Sequence, residues 1–124
     1  MRLTDDEFED VVEEALESLP PAFAPYMEDV VVDVEPAPDD ETCRRVGLTD
    51  PRGLMGLFHG VPVTQRSVEL PLRFPNRVVI YQRNLERLCR SRSQLLREIR
   101  RTVLHEVGHH FGLSEGDLAD LGFG

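Results

Sequence analysis

Two histidines four positions apart, with a glutamate between them, are the residues of this chain best suited to catalytic chemistry. They lie in the run His105-Glu106-Val107-Gly108-His109. Because an α-helix has about 3.6 residues per turn, the two imidazoles project from one face and can bind the same metal ion. Glu106 lies about 100° farther around the helix, where it can reach a metal-bound water without being a ligand. In this H-E-x-x-H pattern the histidines bind zinc and the glutamate is the general base of a peptidase.

A zinc hydrolase needs a third protein ligand and keeps one position open for water. Two carboxylates follow Gly112, and Glu115 stands ten residues after His105, where a ligand falls in the H-E-x-x-H-x-x-G-x-x-ligand arrangement. Asp117 is the alternative third ligand, although it can also serve Ser114 as a capping partner at the start of a short helix. A more distant residue of the chain is the remaining alternative.

Two further histidines are candidates for supporting roles. His110 points into the apolar side of the helix, about 100° from His109. This favours either a half-buried histidine with a hydrogen-bond partner or a group that supports the metal ligands, and argues against His110 being a ligand itself. His59 lies in a glycine-rich segment. It and the backbone amides of residues 56–60 are candidates for stabilising an oxyanion, and simple exposure to solvent is the competing interpretation.

The helix that carries the histidines has recognisable ends. Ser91 is expected to cap its N-terminus, with Gln94 completing a capping box, and Gly112 is expected to end it in a left-handed conformation. Apolar residues recur between these ends at helical spacing and form one broad face. They are Leu95, Leu96, Ile99, Val103, Leu104, Val107 and Phe111.

The remaining elements can be predicted from hydrophobic periodicity and turn residues. Thr4 is expected to cap an amphipathic helix over residues 5–19. Strands are predicted over residues 30–34, 54–58, 68–72 and 78–81, and the last two are expected to pair around Pro75 and Asn76. An acidic loop is expected over 36–41, and residues 42–53 have no clear period. The fold class is therefore α+β, with a small sheet packed against the N-terminal helix and the histidine-bearing helix. A chain of 124 residues supports one domain, over residues 1–124.

Four blocks of the sequence resemble the small bacterial zincin-like metallopeptidases, sometimes called minimal zincins. The blocks are residues 1–20, residues 56–62 with Thr64 and Arg66, residues 77–81 with Leu85 and Glu86, and residues 102–114. The resemblance implies a compact zincin fold and zinc peptidase activity. The chain differs from metzincins, which have a histidine at the position of Glu115 and a methionine turn, whereas no methionine follows Met55.

The function predicted from the motif and the resemblance is hydrolysis of peptide bonds by a zinc-activated water, with Glu106 as general base. The alternative is an inactive zincin-fold module that binds peptides or proteins and carries a structural zinc. Structural zinc sites favour four protein ligands and cysteine. The presence of Glu106 where a base is needed, with no cysteine near the motif, favours the enzyme.

Composition restricts the other classes of function. Residues 1–41 carry 15 acidic residues and one arginine, and the remainder carries 8 acidic residues and 13 arginines, which together give the net charge of −9. Net negative charge argues against an arginine-rich nucleic-acid adaptor, because non-specific binding depends on neutralising phosphates.

No long apolar run or signal peptide is present, so a cytoplasmic protein without a membrane span is expected. Cys43 and Cys89 are expected to be free thiols.

Overall fold

The computed structural model describes residues 1–60 and 76–121, which form an α+β arrangement of six α-helices and a three-stranded sheet. The helices are α1 (Asp5–Glu17), α2 (Ala24–Met27), α3 (Asp40–Val46), α4 (Gln82–Leu88), α5 (Arg92–His110) and α6 (Glu115–Asp120). The strands are β1 (Val30–Glu35), β2 (Gly56–His59) and β3 (Asn76–Tyr81). The predicted fold class is confirmed. The predicted strand over 68–72, and Thr64 and Arg66, lie outside the described residues.

The sheet is mixed, with strand order β1-β3-β2. Strand β1 runs parallel to β3 from Val30 opposite Asn76, and β2 runs antiparallel to β3 with Gly56 opposite Ile80. The central position of β3 agrees with its sequence, because Val78, Val79, Ile80 and Tyr81 form an uninterrupted apolar run. All four are fully or almost fully buried, as expected for a strand covered on both faces.

Helices α1 and α5 contribute most of the core that covers one face of this sheet. The buried side chains of α1 are Phe8, Val11, Val12 and Ala15, and those of α5 include Leu95, Ile99, Val103, Leu104 and Val107. Val78 and Ile80 belong to the same cluster. The apolar stripes predicted for the two helices therefore face each other and the sheet, and this packing fixes the orientation of the helix that carries the histidines.

Helix α1 begins as predicted and ends earlier. The Thr4 hydroxyl accepts a hydrogen bond from Glu7 N–H, and the Glu7 carboxylate accepts one from Thr4 N–H, which completes a capping box. The helix ends at Glu17, two residues before the predicted end. Glu14 forms an ion pair with Arg92 across 2.6 Å, so the acidic first helix and the arginine-rich α5 are paired in charge where they meet.

Helix α3 was not predicted, because its residues fall in the expected acidic loop and the stretch without a clear period. It has both terminal signals of a short helix. The Asp39 carboxylate accepts a hydrogen bond from Thr42 N–H, and Gly47 ends the helix with φ of 73°. Seven residues make only about two turns. That is too short for an apolar period to stand out, so the caps were the only usable signal.

Helix α4 contains a buried carboxylate, Glu86, which is only 3% exposed. It accepts hydrogen bonds from Leu3 N–H at 2.9 Å, from the Arg83 guanidinium at 2.7 Å and from the Gln82 amide at 3.2 Å. Burial by itself would raise the pKa of Glu86, but these hydrogen bonds outweigh it and leave the pKa below its usual value. The carboxylate thereby attaches the N-terminal segment to α4.

Two smaller expectations concern the cysteines and the membrane. Cys43 and Cys89 are both buried and free, as predicted. Within the described residues, no helix combines the length and the apolar character needed to cross a membrane.

Candidate metal and catalytic site

The N-terminus of α5 is capped by the predicted residue in a slightly different way. The Ser91 hydroxyl accepts a hydrogen bond from Gln94 N–H at 3.1 Å. The Gln94 side chain accepts from Arg90 N–H at 2.7 Å, one residue before the position that a capping box uses. The predicted cap is therefore confirmed, and the reciprocal contact is displaced by one residue.

The C-terminus of α5 ends in a Schellman motif centred on Gly112. Gly112 N–H donates to the carbonyl of His109 at 3.1 Å, and Leu113 N–H donates to the carbonyl of Gly108 at 2.8 Å. Gly112 has φ of 79°, a conformation that side-chain-bearing residues rarely adopt. This turn reverses the chain directly after the second histidine, as the position of the glycine predicted.

Helix α6 begins immediately after the turn. The Ser114 hydroxyl accepts from Asp117 N–H at 3.1 Å, and the Asp117 carboxylate accepts from Ser114 N–H at 2.8 Å. These bonds hold the pKa of Asp117 below its usual value. Asp117 is thus engaged in a capping box, while Glu115, the first residue of α6, is directed back toward α5.

The carboxylate of Glu115 joins the two histidines of the motif. His105 Nε2 lies 2.9 Å from one of its oxygens and His109 Nε2 lies 3.0 Å from the other. The two imidazole rings stand 5.7 Å apart at 76° to each other. Hydrogen bonds from His105 and His109 hold the pKa of Glu115 below its usual value, so this carboxylate is ionised at neutral pH. The structure therefore brings His105, His109 and Glu115 into one cluster.

The other nitrogen of His105 has a partner within the helix. Its Nδ1 lies 2.8 Å from the backbone carbonyl of Arg101, one turn earlier. Since a carbonyl oxygen can only accept, Nδ1 is the donor in this contact, and Nε2 is the nitrogen directed at Glu115. Metal-binding histidines commonly use such a bond to fix the ring. The contact was not predicted, although a carbonyl four residues before a helical histidine could have been considered.

Glu106 lies beside this cluster in a more enclosed place. Its carboxylate accepts a hydrogen bond from the backbone N–H of Phe58, on strand β2, at 3.1 Å. Burial raises the pKa of Glu106, and the Phe58 N–H, His109 and His105 oppose that rise without cancelling it. A carboxyl group with a raised pKa is a better proton acceptor than an ordinary one.

Strand β2 can reach Glu106 because it lies close against α5. A Cβ on Gly56 would stand 2.5 Å from the Thr102 methyl group, so only glycine allows this approach. No local sequence pattern indicates the contact between Phe58 and Glu106. It joins residues 48 positions apart through a backbone group, which any residue type could supply.

His110 packs against aromatic rings and is exposed, not half-buried as predicted. Its ring stacks on that of Phe58, with centroids 4.0 Å apart and planes at 22°, and meets Phe111 edge-on at 5.1 Å. The prediction made His110 half-buried because its angle on the helix falls within the apolar face. Near the helix end that angle points beyond the core, to the edge of β2.

His59 lies on a different side of the sheet. It follows Phe58, whose ring faces α5, and its own register partner is Arg77. Its Nδ1 lies 3.5 Å from the Arg45 guanidinium. Burial, Arg77 and Arg45 together lower the pKa of His59. The structure therefore does not bring His59 to Glu106 or to the two other histidines of the cluster.

The donor atoms of the cluster suit a zinc ion. Two imidazole nitrogens and one carboxylate are a known ligand set for catalytic zinc. Ligands of a tetrahedral ion at about 2.0–2.1 Å are separated by roughly 3.3 Å. No three His, Cys, Asp or Glu side chains in residues 1–60 and 76–121 meet the geometry of a metal site as they stand. Each of the two imidazoles contacts the Glu115 carboxylate directly, at 2.9 and 3.0 Å, which is closer than two ligands of one ion would stand.

The sequence profile of the zincin-like metallopeptidase family matches the chain over residues 27–124. The match includes the sheet, α5 and α6. No curated protein matches the chain significantly.

Proposed function

The chain belongs to the zincin-like metallopeptidase family, and from this premise we propose that it is a zinc-dependent peptidase in which Glu106 is the general base. The observation that carries the proposal is the cluster itself. The Nε2 atoms of His105 and His109 each lie within 3.0 Å of an oxygen of the Glu115 carboxylate. A second carboxylate, with a raised pKa, lies next to them.

His105, His109 and Glu115 are the residues that would hold the ion. A bound zinc ion supplies a Lewis acid, which acidifies a water molecule and polarises the carbonyl of the substrate. The Arg101 carbonyl keeps the His105 ring oriented with Nε2 toward the ion position. Glu115 adds a negative charge, which makes the three ligands together a better match for a divalent cation than three neutral groups would be.

Glu106 performs the proton transfers. Its carboxylate would accept a proton from the attacking water and then pass that proton to the nitrogen of the departing amine. The Phe58 N–H holds one carboxylate oxygen, which leaves the other available to the water. The substrate would be a peptide or protein, since this chemistry at this kind of site cleaves amide bonds.

The experiment that tests the proposal is Glu106→Gln, with zinc content and cleavage of a broad peptide library as readouts. Glutamine keeps the shape and can still accept from Phe58 N–H, so zinc and fold should be retained. Loss of the base should reduce cleavage by about 100- to 10,000-fold. Glu98→Gln is the matched control, because Glu98 lies on the same helix two turns earlier, and it should cleave normally.

Three outcomes are informative. Loss of cleavage with retained zinc in Glu106→Gln supports the mechanism. Equal cleavage by Glu106→Gln and the wild type contradicts the role of Glu106. Stoichiometric zinc in the wild type without cleavage of any peptide contradicts the peptidase and favours a zinc-containing binding module.

A further inference from the structure

Helices α5 and α6 share a close apolar contact between a glycine and a leucine, in addition to the polar contacts of Glu115. A Cβ on Gly108 would lie 2.9 Å from one methyl carbon of Leu118 and 3.4 Å from the other. Leu118 is fully buried, and it is the only buried residue among the described residues of α6. The absence of a side chain at position 108 therefore creates the space that the Leu118 side chain fills.

This contact lies next to the candidate metal ligands on both helices. On α5, Gly108 is about 60° around the helix from His105 and directly precedes His109. On α6, Leu118 is three residues after Glu115, so the two project from the same side. The Leu118–Gly108 contact and the contacts of Glu115 with the two imidazoles therefore join the same pair of helices on neighbouring faces.

The local hydrogen bonds at the start of α6 do not supply the same constraint. The Schellman turn and the Ser114–Asp117 capping box fix how the chain leaves α5 and how α6 begins. Both are local, within residues 108–117. A helix of six residues has little stability of its own, so its position depends on the side chain that it buries.

We propose that Gly108 and Leu118 are positioning residues for the third metal ligand, and that their contact holds Glu115 within reach of the zinc ion. The proposal rests on the zinc site of the proposed function. In this proposal Gly108 does more than form part of a helix, and Leu118 does more than stabilise the core, because together they position Glu115.

The test compares zinc affinity, measured by competition with a chromogenic chelator, in Leu118→Ala and Gly108→Ala. Leu118→Ala removes the anchor of α6, and Gly108→Ala pushes Leu118 and α6 outward. Each substitution should lower the zinc affinity by about 10- to 100-fold, as is typical for residues that orient metal ligands. Gly108→Ala is especially informative because alanine favours the helical state of α5, so weaker zinc binding would not reflect a weaker helix.

Matched controls separate positioning from stability. Leu95→Ala removes the same side-chain atoms as Leu118→Ala, but near the N-terminal end of α5, and should leave zinc affinity unchanged in the folded protein. Gly116→Ala adds the same methyl group to α6, where the nearest atom is Ser114 Oγ at 3.6 Å, and should also leave zinc affinity unchanged. Circular dichroism of each variant defines the conditions under which it is folded.

A double variant tests whether the effect passes through Glu115. In the Glu115→Ala background, adding Leu118→Ala should cause no further loss of zinc affinity, because there is no third ligand left to position. A further loss of the same size as in the wild-type background would overturn the proposal.

The results that would contradict the positioning role differ from those that would contradict the zinc site. If Glu115→Ala weakens zinc but Leu118→Ala and Gly108→Ala bind it as tightly as the wild type, positioning by this contact is wrong and the zinc site stands. If the wild type itself binds no zinc, the proposed function and the positioning role are both overturned.

Discussion

At the scale of single residues, Glu115 and Asp117 show how two similar side chains two positions apart take separate roles. The Glu115 carboxylate contacts two imidazoles, while the Asp117 carboxylate accepts from the backbone of Ser114. Asp117 is the shorter side chain and stands at the third helical position, where a carboxylate can reach back to the N-cap. Glu115 stands at the first position and has the length to reach across to α5.

This separation predicts different consequences for the two alanine substitutions. Glu115→Ala should lower the zinc affinity by more than about 100-fold, which is beyond the range typical of residues that only orient ligands. Asp117→Ala should lower the thermal midpoint of the metal-free protein and have a smaller effect on zinc. Chelator competition and thermal unfolding measure the two effects.

Ser114→Ala is the companion variant for the cap and should cost about 1 kcal/mol of stability. If Asp117→Ala abolishes zinc binding and Glu115→Ala leaves it intact, the assignment of the third ligand must be reversed.

The sequence was most informative about residues whose roles depend on helical spacing. His105, His109 and Glu106 could be assigned candidate roles from the period of one helix, and Glu115 from its distance beyond Gly112. The orientation of His110 could not, because the same angular argument does not say where the core ends. The contact from Phe58 N–H to Glu106 depends on how a strand packs on the helix, which no local pattern indicates.

At the scale of elements, the glycine-ended turn between α5 and α6 decides whether a carboxylate can return to the histidines. Gly112 has φ of 79° and no atom within 4 Å of the position a Cβ would occupy. Gly47, at the end of α3, has φ of 73° and equally open surroundings. The two residues therefore face the same backbone constraint in different places.

We expect Gly112→Ala and Gly47→Ala each to cost about 1–2 kcal/mol of stability, because the left-handed conformation is unfavourable for alanine. Only Gly112→Ala should weaken zinc binding, since only that turn connects His109 to Glu115. Urea unfolding and chelator competition on both variants measure this. Equal loss of zinc affinity in the two variants would mean that global destabilisation, not the turn, controls the site.

Helices with several turns and strands with apolar runs could be predicted, whereas the short helices α2 and α3 could not. The six-residue helix α6 is the exception, because Ser114 and Asp117 indicated where it starts. Helices α1 and α5 and all three described strands were expected within a few residues of where they lie. Helices α2 and α3 have four and seven residues and were missed. In α3 the Asp39 cap and Gly47 were present, but acidic residues and proline nearby are equally typical of a loop.

The pairing of strands was harder to predict than the strands. Residues 78–81 were expected to pair with 68–72, which lies outside the described residues. The structure shows residues 78–81 between β1 and β2. Their continuous apolar run agrees with the observed burial on both faces of a central strand. Parallel pairing with β1 depends on a long connection, which leaves no local pattern.

At the scale of the whole molecule, the buried Glu86 carboxylate connects the N-terminal segment to the helix that precedes α5. Because its folded pKa is lowered, its contribution to stability is present above the unfolded value, near 4.3. That contribution is lost as the pH falls through the lower folded value. At neutral pH, Glu86→Gln should cost on the order of 2 kcal/mol, since hydrogen bonds to a charged group are lost.

Urea unfolding in the presence of a chelator, at pH 7 and below pH 4, measures this effect without any contribution from metal. The difference between the wild type and Glu86→Gln should shrink at the lower pH. The exposed Glu13 provides the control, and Glu13→Gln should change stability little at either pH. A difference that stays constant with pH would show that the charge of Glu86 is not the source of the stability.

The turn at Gly112 places all the proposed zinc ligands within the eleven residues from 105 to 115, so the site is local in sequence. Closing so short a loop has a small entropic cost, and the loop can open while α1 remains packed on the sheet. Zinc should therefore slow amide hydrogen exchange in residues 105–121 and leave exchange in α1 and β3 almost unchanged. Uniform slowing along the chain would instead mean that the metal site and the core unfold as one unit.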